Sequence, residues 1–173
     1  MDRREIERCA KDILRDHGLL QLPIDPLKVA HALQVRVHNA KFSEEDKSGA
    51  VTKRDGNIAI FLDYDDSPAR KRFTIAHEIG HIVLHMQAAD DYEIIDTEDN
   101  FRSIPNSDGE WSKERRMEWE ANTFAAALLM DEELVRSELE QTKDLGLLAW
   151  KFQVSESAMA IRLSSLNLTD EFV

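Results

Sequence analysis

The chain has a single cysteine, Cys9, so no disulfide can close within it; this usage fits a reducing compartment, most simply the cytoplasm. Long apolar runs are also missing. The longest, Phe124 to Met130, is seven residues, far short of the roughly 20 needed to span a bilayer. The N-terminal MDRREIERCAKD is charged where a secretory signal would carry its apolar core. Basic residues are outnumbered, 22 against 34 acidic, and a formal charge of −12 argues against a surface that neutralises phosphates. No Gly/Ser/Pro-rich linker or internal repeat divides the 173 residues. Membrane, secreted and non-specific nucleic-acid-binding classes are thereby set aside. What remains, at 42% hydrophobic and 32% charged, has the composition of a folded domain.

Periodicity supplies the elements. Ile6, Cys9, Ala10, Ile13 and Leu14 recur at helical spacing before Gly18. Asp25-Pro26 reads as N-cap and first residue of a short helix to about Leu33. Val35 and Val37 suggest a strand, and Asp55-Gly56 between two apolar runs signals a hairpin. Ser67-Pro68 opens a long helix to about Met86. Ala88 to Gly109 is acidic and aperiodic and reads as a long loop. Helices follow over about Lys113–Met130, from Asp131 to Gln141, Leu145–Phe152 and Glu156–Leu166. The fold class is α+β, with a small antiparallel sheet. We expect a core over 1–130 and a helical segment over 131–173 packed on it.

Within the long helix, residues 77 to 81 read His77-Glu78-Ile79-Gly80-His81, an HExxH motif. Two histidines four apart share a helical face about 6 Å apart along the axis, so both imidazoles can reach one ion. Glu78, about 100° round the helix, is placed to take a proton from a water that the ion activates. Gly80 in mid-helix costs about 1 kcal/mol relative to alanine, which implies close packing beneath it. A catalytic zinc needs a third protein ligand. His85 continues the four-residue series but lies about 12 Å along the axis from His77, too far to share the ion, and reads as a packing residue. Glu114, Glu118 and Glu120 on the next long helix are the candidates, and periodicity leaves the choice open.

ARKRFTIAHEIGHIVLH together with EWEANTFAAALLM resembles the ImmA/IrrE family of metallo-endopeptidases. LPIDPLKVAHAL and SGAVTKRDGNIAIFLD extend the resemblance over roughly residues 5 to 130. It implies a gluzincin-like site, with His77 and His81 as zinc ligands, Glu78 as catalytic base, and the family's glutamate falling on Glu120. Zinc is the implied metal, with Mn²⁺ or Fe²⁺ as alternatives. The implied substrate is a helix-turn-helix transcriptional repressor, cleaved to relieve repression in a stress response or on a mobile element. The alternative is a non-catalytic, metal-containing antirepressor or antitoxin-like binder. Two departures stand out: Asp131 replaces the family's common proline after LLM, and the stretch from His81 to Glu120 is long.

LLAWKFQVSESAMAIRLSSLNL has the pattern of a helix-turn-helix, yet its second helix offers Arg162 and little else to base edges. Docking on the core or on a protein partner is the better reading, and direct DNA contact is not expected. Trp111, Trp119 and Trp150 read as packing anchors, and Arg70-Lys71-Arg72 with Lys113, Arg115 and Arg116 as solvated faces. Tyr92, His85 and Arg102 are candidate oxyanion stabilisers.

Overall fold

A computed structural model describes residues 1–42, 47–86, 92–97 and 112–169. Four strands form one sheet in the order β1-β3-β2-β4, with β1 at Arg36–Ala40, β2 at Lys47–Arg54, β3 at Asn57–Asp63 and β4 at Tyr92–Thr97. The expected hairpin is present. β2 and β3 pair antiparallel around Asp55 and Gly56, whose φ values of 49° and 75° give the mirror-image turn that matches strand twist. The sheet is mixed rather than wholly antiparallel, because β1 runs parallel to β3 with Val37 opposite Ile60. A sequence pattern shows that a strand exists but not which way its neighbour runs. β4, antiparallel to β2, falls inside the stretch read as loop. Its YEIIDT lacks the alternation that marks a half-buried strand.

Helices α1 (Arg3–Asp16), α2 (Pro26–Ala32), α3 (Pro68–His85) and α4 (Lys113–Leu129) are followed by α5 (Glu132–Leu139), α6 (Leu145–Phe152) and α7 (Glu156–Ser165). Their starts follow the capping chemistry read from the sequence. Asp25, Ser67, Asp131 and Ser155 each accept a backbone N–H of their own first turn. One apolar core joins Ile6 and Leu14 of α1, Ile60 of β3, Ile79 of α3, Phe124 and Leu128 of α4, and Phe152 and Leu163 of the last two helices. No helix among the described residues is long and apolar enough to cross a membrane.

α3 packs most extensively against α4. Gly80 makes this possible: a Cβ there would lie 3.1 Å from the Ala121 Cα and 3.2 Å from its carbonyl oxygen. Backbone meets backbone at that point, as the mid-helix glycine implied. Gly49 does the same on the sheet side, where a Cβ would fall 2.5 Å from Thr74 Cγ2 and 2.7 Å from Glu78 Oε1. The two glycines let α4 and β2 close on α3 at the turn that carries HExxH.

Candidate metal centre

His77, Glu78 and His81 are fully buried on α3. The Nε2 atoms of His77 and His81 stand 3.0 Å apart. Across the helix interface, the Glu118 carboxylate presents Oε2 at 3.4 Å from His77 Nε2 and Oε1 at 3.4 Å from His81 Nε2. These three residues form a group whose ligand atoms all lie within 4.8 Å of one another.

The donor set fits a metal ion on two counts. Two imidazoles and a carboxylate are ligands that zinc accepts, leaving a fourth position open. Atoms about 2.0–2.1 Å from a tetrahedral ion lie about 3.3–3.4 Å from each other, close to the spacing that Glu118 makes with each histidine. The tautomer also fits. His77 Nδ1 is 3.0 Å from Asn122 Oδ1, and an amide oxygen only accepts, so Nδ1 carries the proton and Nε2 keeps its lone pair toward the cluster.

The third member is a correction. Glu120, the residue to which the family motif was assigned, does not join the histidines. Two residues beyond Glu118 on the same helix, it points about 200° away around the axis. Its Oε1 accepts from the Met1 amino group at 2.6 Å and from Arg116 Nε at 3.4 Å, and its Oε2 lies 3.8 Å from His85 Nε2. Glu118 and Asn122 share the face turned to α3; their one-turn spacing was the available signal, and the apolar stripe beside Glu120 obscured it. Glu114, the third candidate, is exposed at the start of α4.

His85 stands outside the cluster, as the axial rise predicted. Its Nε2 donates to the Met117 carbonyl at 3.3 Å, and its ring centre is 5.4 Å from that of His81. Burial holds its pKa below the usual histidine value and His81 adds to the effect, against opposing contributions from Glu120, the Met117 carbonyl and Glu118.

Other residues separate into those with structural duties and those without. Arg162 is 3% exposed; its Nε donates to the Met130 carbonyl at 3.0 Å and its Nη1 to Glu7 at 2.5 Å, so it faces inward rather than toward a base edge. Arg72 is no solvated charge: its Nη2 donates to the Ile24 carbonyl at 2.6 Å and its Nε to the Gln153 carbonyl at 3.1 Å. Trp150 is 74% exposed, which overturns its reading as a packing anchor, whereas Trp119 packs against the core. Arg102, Trp111 and the Tyr92 side chain lie outside the described residues.

Residues 30–164 match the family described as IrrE N-terminal-like domain, peptidase M78. The chain belongs to this family. The match runs from α2 into α7, so the family's domain takes in most of the C-terminal helices as well as the metal centre. The radiation response metalloprotease IrrE of Deinococcus radiodurans is 36% identical over 162 residues, covering 90% of this chain and 46% of that protein. A Mycobacterium tuberculosis transcriptional regulator shares the fold with a TM-score of 0.63 at 18% identity, over 98% of this chain and 49% of that one. The chain thus spans about half the length of each of these two proteins.

Proposed function

We propose that this IrrE-family protein is a zinc-dependent endopeptidase, with His77, His81 and Glu118 as the metal ligands and Glu78 as the proton carrier. The observation that carries the reading is the convergence of two buried imidazoles and the largely buried Glu118 carboxylate on one point, beside the Glu78 carboxylate one residue from a ligand. Zinc, when bound, supplies Lewis acidity: it polarises a peptide carbonyl and makes a water acidic enough to lose a proton near pH ~7. Glu78 takes that proton at a carboxylate oxygen while the water oxygen bonds to the carbonyl carbon. The same carboxyl then delivers the proton to the amine nitrogen as the C–N bond breaks. Asn122 keeps His77 in the tautomer that can bind a cation, and the Gly49 contact packs β2 against Glu78, limiting the room for bulk water.

The substrate we propose is a helix-turn-helix transcriptional repressor, cut so that the genes it controls are released, in a stress response or on a mobile element. The radiation-response role in the name of the Deinococcus relative supports the stress setting. A net charge of −12 would steer a basic DNA-binding partner toward the enzyme. The test uses Glu78→Gln, which preserves shape and removes the proton carrier. It should hold zinc like the wild type and cleave a helix-turn-helix repressor that the wild type cuts about 10²–10⁴-fold more slowly. Undiminished cleavage by the variant would remove Glu78 from the mechanism, and relief of repression without cleavage would establish the antirepressor alternative.

A further inference from the structure

A cavity lies beside the metal centre, bordered by α3, α4 and α7. One turn from His77 toward the start of α3 lies Phe73, and one turn beyond that Ala69 and Arg70; one turn from Glu118 toward the end of α4 lies Asn122. These residues form one wall of this cavity of about 510 Å³, closed on its far side by α7. The cavity and the metal centre share a partition: Asn122 accepts from His77, and the Phe73 and His77 ring centres are 6.3 Å apart. Most of its lining is apolar, including Phe73, Trp119 and Ile161, and among the described residues no aspartate or glutamate lines it. Arginines do: Arg3 and Arg70 at its edge, and Arg162 deeper in. In a chain with 34 acidic residues, a cavity whose described lining holds arginines and no acid runs against the general charge, although Arg162 is already paired with Glu7.

We infer that this cavity is a specificity subsite, which rests on the peptidase reading and names what the enzyme selects. Its occupant is a stretch of the protein substrate in which a bulky apolar side chain is followed directly by an acidic one. The apolar side chain fills the space between Phe73, Trp119 and Ile161, and the carboxylate meets the exposed guanidinium of Arg3. The volume is that of a small-ligand pocket, enough for one large side chain and its neighbour. A basic partner is drawn in by the whole surface, and the local pair of residues decides where it is held.

The test uses the full chain with zinc, carrying Glu78→Gln so that bound peptide stays whole. Three fluorescein-labelled, end-capped Gly/Ser peptides carry a central Phe-Asp, Phe-Asn or Ala-Asp pair, and binding is read by anisotropy. Phe-Asp should bind at least about tenfold more tightly than either of the others. Ile161 is 70% exposed, so it can be changed without disturbing the core. Ile161→Glu should abolish the preference for Phe-Asp and Ile161→Arg should retain it, with zinc stoichiometry the same in both. Equal binding of the three peptides, no binding of any, or an unchanged preference in Ile161→Glu would overturn the subsite. Inorganic phosphate that displaces the Phe-Asp peptide completely would also overturn it, in favour of a small-anion site. The peptidase reading fails separately, if the zinc-loaded wild type cleaves no repressor while the order of peptide affinities stands.

Discussion

Two clusters of largely buried polar side chains adjoin α4, one along its face and one at its C-terminal end, and they are built on different plans. Around Arg162, one guanidinium donates to the Met130 carbonyl and to the Glu7 carboxylate, so donors face acceptors and the charges match. Around His77, the Nε2 atoms of two histidines and both oxygens of Glu118 converge as the ligand atoms of one candidate metal site. The first group is complete as it stands and ties α7 to α1 and to the end of α4. The second carries the donor set that a cation at its centre would use. Burial alone does not separate structure from function here, since both groups are almost wholly inside; what converges does.

That contrast predicts different failures. Arg162→Ala leaves Glu7 and the Met130 carbonyl without their donor, and breaking a buried pair costs about 3–5 kcal/mol. Glu7 retains 19% side-chain exposure, so about 3 kcal/mol is expected, a fall in melting temperature of roughly 6–12 °C. Zinc stoichiometry in the folded variant should be unaltered. A thermal scan with and without zinc measures both, and a variant that melts like the wild type would show that α7 is held by other contacts.

Glu118→Ala should act on the metal instead. It removes one of the three candidate ligands, so zinc affinity should fall by more than about a hundredfold. Glu120→Ala is the control that decides between the two glutamates: it should change zinc affinity less than about tenfold, because its contacts are with Met1, Arg116 and His85. Native mass spectrometry of the two variants at limiting zinc reads the difference. Weakening by Glu120→Ala alone would return the third ligand to the position that the family motif suggested.

The glutamate shows where sequence reasoning stops. HExxH, the Ser67-Pro68 start and the mid-helix glycine are local signals, and each was legible because a helix fixes the geometry of residues three or four apart. The choice among Glu114, Glu118 and Glu120 depends on how α4 is rotated about its axis against α3. That rotation is set by packing at Gly80 and Ala121, which no single segment encodes. The same limit applied to the sheet. The β2–β3 hairpin was visible in Asp55-Gly56, whereas the parallel pairing of β1 with β3 depends on the path of the chain between them. Trp150 and Arg72 were misjudged for a related reason: residue type indicates average burial, and these two depart from it, the tryptophan outward and the arginine inward.

A loss smaller than that of Glu118→Ala probes the partition between the metal centre and the rest of the interface. Asn122 touches the ion's neighbourhood only through His77, as the acceptor that selects a tautomer. Residues that orient a metal-binding histidine are worth about 10–100-fold in metal affinity, so Asn122→Ala should weaken zinc by that amount without abolishing it. Asn122→Asp keeps the acceptor and adds negative charge, which raises the basicity of the imidazole, and should bind zinc as tightly as the wild type or more so. Asn122→Leu fills the volume without the acceptor and should behave like alanine. Chelator competition gives the affinities, and folding is checked by melting temperature in each case. If alanine, leucine and aspartate all weaken zinc equally, Asn122 acts by shape and the tautomer argument is wrong. Rescue by aspartate alone would show that the metal centre depends on one hydrogen bond made outside the cluster.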